Sequence, residues 1–280
     1  MNRFGNLSKP LMWFMALLLA AFVAGCGGGG GGGAAPRPAG PAAPSAAGAV
    51  CDAATNTACV PLATAGTYTI LGTAAINDTG PSVITGNIGS SGSGAGIAVS
   101  CAEMTGTIFD ADTGYAGGSV AGATACRQTD SAGLGAAVAD AITAFTDAGN
   151  KTADTFPGIA VISGATPFGP GVYSYPAGVA ITSDVTLQGD ANAVWVFQVT
   201  GNLTQSAATT VTLAGGAVAQ NVFWRVTGTS SIAAGSHFEG IVLSPNDISL
   251  AAGSSVNGRL YTGGGGAVNL NTNTVRRPGA

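Results

Sequence analysis

A five-residue pattern returns along this chain and limits what it can fold into. It reads Ser82-Val83-Ile84-Thr85-Gly86 near the start of the folded region, Ser236-His237-Phe238-Glu239-Gly240 further on, and Ser254-Ser255-Val256-Asn257-Gly258 soon after. Each copy has small or polar residues, one apolar residue, one polar residue and a glycine. Aligned on the apolar residue, the copies centre on Ile84, Met104, Val185, Val211, Phe238 and Val256. Side chains alternate along a strand, so the two neighbours of an inward residue point outward. From Val185 to Val211, Phe238 and Val256 the steps are 26, 27 and 18 residues. That period fits one coil of a β-solenoid with three short strands per coil.

A second strand type lies between the copies: Ala193–Val199 (AVWVFQV), Asn221–Val226 (NVFWRV), GIVLS and GRLYT. These strands are apolar on both faces in places, as at Trp195, Phe197, Phe223 and Trp224. A strand apolar on both sides must be covered on both sides. One cover is the solenoid interior. The other is the single helical stretch, where Leu134, Val138, Ala141, Ile142 and Phe145 fall on one stripe. Asp130 or Ser131 is placed to cap its start and Gly149 to end it. The expectation is an all-β-dominated solenoid with one long helix packed along one face.

The first residues stand apart from the fold. Arg3 and Lys9 precede an apolar run from Leu11 to Val23, too short for a comfortable membrane span. It ends in Val23-Ala24-Gly25-Cys26, which resembles a bacterial lipobox with Cys26 as the lipidated residue. An ordinary secretory signal with an incidental cysteine is the alternative. Gly27 to Gly33 and the Ala/Pro-rich stretch after them have little apolar surface to bury and read as a tether. Glycine rather than aspartate at position 27 favours the outer membrane, facing the cell surface or the periplasm. The division expected is a signal peptide over 1–25, a lipidated cysteine with tether over 26–62 and a solenoid over 63–276. Within the last, about 101–130 forms a capping loop region and about 131–149 the helix.

Setting Cys26 aside leaves four cysteines, an even number that suits an oxidising compartment. Sequence proximity pairs Cys51 with Cys59 and Cys101 with Cys126. A metal site is not expected, since there is no Cys-x-x-Cys and only one histidine. Charged residues are 8% of the chain, against roughly 25% in ordinary soluble proteins. Nine scattered Lys and Arg make no basic patch, so nucleic acid is not an expected partner. His237 has only Ser236 as a neighbouring nucleophile, no G-x-S-x-G elbow is present, and the glycine runs lack a phosphate-loop ending. Asp110 and Asp112 read as turn caps. Neither an enzyme nor a cofactor is expected.

The order of NDTGPSVITGNIG (Asn77–Gly89), GPGVYS (Gly169–Ser174), NAVWVFQV (Asn192–Val199), VTLAGGAVAQNVFWRV (Val211–Val226), SHFEGIVLS and SVNGRLYT resembles the microbial ice-binding protein family, DUF3494. The resemblance covers about 63–276 and includes the helix with its TDAGNKT ending. It implies a discontinuous right-handed three-faced β-helix whose first and last segments interleave, and a partner that is the ice crystal surface. The expected ice face is the repeated strand. One rank is Thr85, Thr105, Thr186 and Thr212, continued by Glu239 and Asn257. Asp184, Thr210, His237 and Ser255 stand beside it, with Thr209, Ser236 and Ser254 as a third rank. Threonine suits such a face because its β-branch holds methyl and hydroxyl in register. The charges of Glu103, Asp184, His237 and Glu239 disturb ordered water, so moderate activity of a monomer is expected. An envelope adhesin or carbohydrate-binding module on the same scaffold is the alternative. It would show aromatics in the outward slots of the repeats, which contain none.

Overall fold

The computed structural model describes residues 56–279, apart from 156, 158, 159 and 165. The signal peptide, Cys26, the tether up to residue 55 and Cys51 therefore lie outside the described residues.

The chain winds into a three-faced β-solenoid in which every strand pairing is parallel. The first face runs in stack order from Gly171–Tyr175 through Trp195–Val199 and Val222–Val226 to the second halves of His237–Ser244 and Ser255–Thr262. It then continues through Tyr68–Gly72, Asn87–Ser90 and Ile108–Asp110 to Arg127–Thr129. A second face is a seven-stranded sheet of very short strands: Val161–Ile162, Val179–Ile181, Leu203–Gln205, Ser230–Ile232, Ile248–Leu250, Val268–Leu270 and Ile76–Asp78. The third face stacks Val185–Gln188, Val211–Ala214, the first halves of His237–Ser244 and Ser255–Thr262, then Thr274–Arg276, Val83–Thr85 and Met104–Thr105.

The stack is not in chain order. Thr274–Arg276 pairs with Ser255–Thr262 on one side and with Val83–Thr85 on the other. The last strand of the chain thus sits in the middle of the solenoid, and the N-terminal coils build on top of it. Residues 101–110, expected in a capping loop, instead supply two stacked strands, Met104–Thr105 and Ile108–Asp110. Apolar flanks at Met104, Ile108 and Phe109 explain why they join the stack. The loop proper lies between Asp110 and Arg127, and the Cys101–Cys126 disulfide closes it. Cys59 is also disulfide-bonded.

The glycine that ends the repeated pattern turns the corner between the third and first faces. Gly86, Gly106 and Gly240 have φ of +108°, +137° and +114°, a region that only glycine enters cheaply. Gly258 stays out of that region, but a Cβ there would sit 1.7 Å from the Gly240 carbonyl oxygen.

The interior is filled by alternate residues of the strands, three from Trp195–Val199 (Trp195, Phe197 and Val199) and two from Val179–Ile181 (Val179 and Ile181). Its largest members stack along the axis. Phe197 lies 4.0 Å from Trp224 at 12°, and Tyr173 lies 5.3 Å from Phe197. The buried indole N–H of Trp224 donates to the Glu239 carbonyl, so this ring is fixed by a hydrogen bond as well as by packing.

The helix, Ser131–Asn150, covers the first face. Its 20 residues span about 30 Å at 1.5 Å per residue. Six interstrand steps of about 4.8 Å, the distance from Ile108–Asp110 down to Trp195–Val199, come to about 29 Å. The helix therefore returns the chain from one end of the stack to the other in a single element. Gln198 holds its far end by donating to the carbonyls of Ala148 and Lys151, at 2.9 and 2.8 Å. Asp130 caps the start, accepting from Gly133 N.

The buried stripe differs from the expected one. It is Leu134, Ala137, Ala141, Ala144 and Ala148, with Val138 and Phe145 half-buried and Ile142 44% exposed. A helix lying close on a flat sheet needs small residues at the contact, which displaces the larger ones to the flanks. Gly149 does not end the helix; Lys151 is the C-cap. The glycine instead lets the Arg225 guanidinium approach, since a Cβ there would meet its Nε at 2.9 Å.

Candidate functional site

The register brings most of the expected residues together on the third face. Thr186 and Thr212 are direct neighbours, and so are Val185 and Val211. The bridge between Thr210 and His237 then joins that pair of strands to the next coil. Glu239 faces Asn257 and His237 faces Ser255. Thr85 faces Thr105. Between Asn257 and Thr85, however, the C-terminal strand inserts Arg276, and it inserts Thr274 between Ser255 and Val83. Two ranks of seven positions result, with a cation in the middle of one.

This face is a charged network. Asp184 Oδ1 accepts from Thr210 N at 2.8 Å. His237 bonds through Nδ1 to Ser255 Oγ at 2.8 Å and through Nε2 to Glu239 Oε1 at 2.9 Å. Asn257 Nδ2 donates to Glu239 Oε2 at 2.8 Å. Glu239 is consequently buried rather than free in an outward slot. Glu103 turns away to the corner, accepting from Ser100 N and Ser119 Oγ.

The expected third rank is not on the surface. Thr209, Ser236 and Ser254 are buried, Ser236 and Ser254 at 1% exposure. A residue two places before an inward residue points inward again. All three hydroxyls donate to the carbonyl three residues back, to Ser206, Ala233 and Ala251 respectively. They satisfy the corner between the second and third faces.

Asp110 and Asp112 also divide. Asp112 Oδ1 accepts from Gly94 N and Gly114 N, and these bonds hold its carboxyl below the usual range. Asp110 is buried and ion-paired to Arg127 at 2.5 Å, so it is no turn cap.

The second face presents a different surface. Its outward rank is Val161, Ala180, Thr204, Ser231, Ser249, Asn269 and Asn77, in direct register. A second rank follows two residues on, at Ser163, Thr182, Ser206, Ala233, Ala251, Asn271 and Thr79. The ladder hydrogen bonds continue through it, for example from Thr182 N to Ile162 O, Ser206 N to Ile181 O and Ala251 N to Ile232 O. None of these fourteen residues is charged. At one end Asn77 Nδ2 donates to Asn269 Oδ1 at 2.7 Å, and Asn269 Nδ2 to Ser249 Oγ at 3.1 Å, which fixes their rotamers. The sequence carried a signal for this face in the triplets Val179–Ile181, Leu203–Gln205, Ile248–Leu250, Val268–Leu270 and Ile76–Asp78. Each has a small or polar residue in the centre, a few positions before a copy of the repeated pattern.

The description ice-binding-like belongs to a family model that matches residues 70–276. An ice-binding protein of a Colwellia species is 42% identical over 222 residues, covering 78% of this chain and 84% of that protein. One from Flavobacterium frigoris is 39% identical over 222 residues, covering 78% and 76%. Among solved structures, an ice-binding protein from an Arctic yeast superposes with a TM-score of 0.70 at 30% identity, covering 80% of this chain and 96% of that one. The Shewanella frigidimarina ice-binding protein domain gives 0.64 at 25% identity, covering 79% and 98%.

Proposed function

The chain belongs to the ice-binding-like family, and from that premise we infer that it binds ice through the uncharged second face and holds back ice growth and recrystallisation. The observation that carries the choice of face is its two outward ranks of short, uncharged side chains on seven parallel strands. Strands repeat at about 4.8 Å, close to repeats in the ice lattice, so ranks of methyls and hydroxyls can hold water at regular intervals. Each contact is weak. The sum is favourable because the sheet is rigid and little is ordered on docking. Charges bind their own hydration shells, and this counts against the third face, where Asp184, His237 and Arg276 stand among the threonines. A surface that works by ordering water needs neither covalent chemistry nor a cofactor.

The test is ice recrystallisation inhibition by the purified protein beside two pairs of variants. Thr204→Tyr and Ser231→Tyr should abolish the effect, while Thr186→Tyr and Thr212→Tyr should keep it. The reverse pattern would move the site to the third face. A folded wild type without effect would sink the reading.

The proposed setting is the cell envelope. Cys26 carries a lipid and the stretch after it acts as a tether, shorter than the expected 26–62 because Cys59, Val60 and Leu62 are buried in the folded domain; the domain works as a monomer at the outer membrane, facing the cell surface or the periplasm. A Cys26→Ser chain that still fractionates with membranes would overturn the anchor.

A further inference from the structure

Arg259 is a cation sealed inside the wall of the solenoid. It lies in the strand Ser255–Thr262, beside Ile241 of the neighbouring coil, and is 1% exposed. Its guanidinium points toward the 3-10 turn Ala63–Thr67, where Nη2 donates to the Gly66 carbonyl at 3.2 Å. Nε and Nη1 are equally buried and have no hydrogen-bond partner. A second guanidinium stands close by. Arg277 Nη1 donates to the carbonyl of the next residue, Thr67, at 3.3 Å. Among the described residues no carboxylate is ion-paired to either arginine. Burial and the neighbouring Arg277 both work against the charge on Arg259.

Two cations set on adjacent carbonyls, one of them fully enclosed, make an arrangement that proteins stabilise with a counter-charge. Arginine cannot escape by losing its proton, and its Nε and Nη hydrogens form a fixed fork for an anion. We propose that one of the two open edges of the Arg259 guanidinium, at Nε or at Nη1, with Arg277 beside it, binds a small inorganic anion, with chloride as the occupant. The unpartnered atoms are donors only, which suits a monatomic acceptor. The enclosure favours an ion of one charge over a bulky oxyanion. The site joins the beginning of the folded chain to its end, since the 3-10 turn opens the domain and Arg277 follows its last strand. Anion binding would therefore tighten the seam of the stack.

Bromide can replace chloride and be seen by anomalous scattering. Crystals of the protein soaked in sodium bromide should show a peak within hydrogen-bond reach of Arg259 Nε or Nη1. In solution, replacing sodium gluconate by sodium chloride at fixed ionic strength and pH should raise Tm by about 5 °C, as ligand linkage predicts for an ion well above its Kd. Arg259→Met should lose that dependence. Should this variant fail to fold, Arg277→Gln, which leaves Arg259 in place, should weaken the dependence instead. An ordered water at the fork with no bromide peak would overturn the site, as would a wild-type Tm indifferent to chloride.

Discussion

The backbone N–H of Asn273 donates to Ser82 Oγ at 3.0 Å, across 191 residues of chain. The Asn273 amide nitrogen reaches the other way, to the carbonyls of Ala251 and Ser254 at 2.8 and 3.2 Å. One buried asparagine thus ties three coils together where the C-terminal strand enters the stack. Asn273→Ala removes these two bonds and the one that Asn271 N donates to Asn273 Oδ1, and should destabilise the domain by about 2 kcal/mol. Urea unfolding checks this. A change within error would mean that the donors remaining on those carbonyls, Ser254 and Thr274, suffice to hold the coils together.

Thr204 projects from the middle of the uncharged face and contributes nothing to the interior. Thr204→Tyr should change stability by no more than about 0.5 kcal/mol, as surface substitutions generally do. A loss of recrystallisation inhibition at unchanged Tm would therefore report on the docking surface itself.

Tyr261 is buried and its hydroxyl lies on the carbonyls of Ala65 and Tyr68, at 2.6 and 2.9 Å. Burial pushes its phenol up, and burial followed by the Asp130 charge pushes Tyr68 up to about 12. Both groups hold their protons more tightly folded than unfolded. Their contribution is complete below the unfolded value of about 10 and is lost as pH rises through the folded values. Stability should fall between about pH 10 and 12, by up to about 1.4 kcal/mol per pH unit for each phenol. Thermal unfolding across that range should show the fall, and Tyr261→Phe should flatten it while lowering Tm at neutral pH.

The Cys101–Cys126 disulfide closes a loop with a sequence separation of 25 on the coil that ends the stack. Cys126→Ser should cost about 3 kcal/mol on loop-entropy grounds. Protease sensitivity should then appear between Asp110 and Arg127, with the helix and the lower coils still protected. Cleavage spread evenly over the domain would mean that the cap is not a separate unit of stability.

The repeated pattern made the third face legible, because period-two alternation and the 26-residue step from Val185 to Val211 suffice to place Thr186 beside Thr212. It could not show Arg276 between Asn257 and Thr85. Sequence order says nothing about where a chain's last strand re-enters a stack. The buried Ser236 and Ser254 were misread because their small polar side chains look alike at a solvated slot and at a corner that needs a donor. The helix was legible in extent, but its stripe was not. Large residues such as Ile142 attract the eye, whereas the sheet admits alanine at four of the five buried helix positions, with Leu134 the exception. The second face escaped notice because its strands are only two or three residues long and their central side chains change from Ala to Thr, Ser and Asn along the stack.

The place of Thr274–Arg276 in the middle of the stack has a consequence for how such a protein can change size. An ordinary repeat array grows by duplicating a unit at either end of the chain. Here both ends of the folded chain are locked at an internal seam, and the outermost coils are formed by internal segments. A longer version must lengthen the loops between 110 and 127 or between 151 and 171. It must also extend the helix in step, so that its length still matches the distance it crosses. Size is therefore a coupled variable in this architecture, and coils cannot be added one at a time.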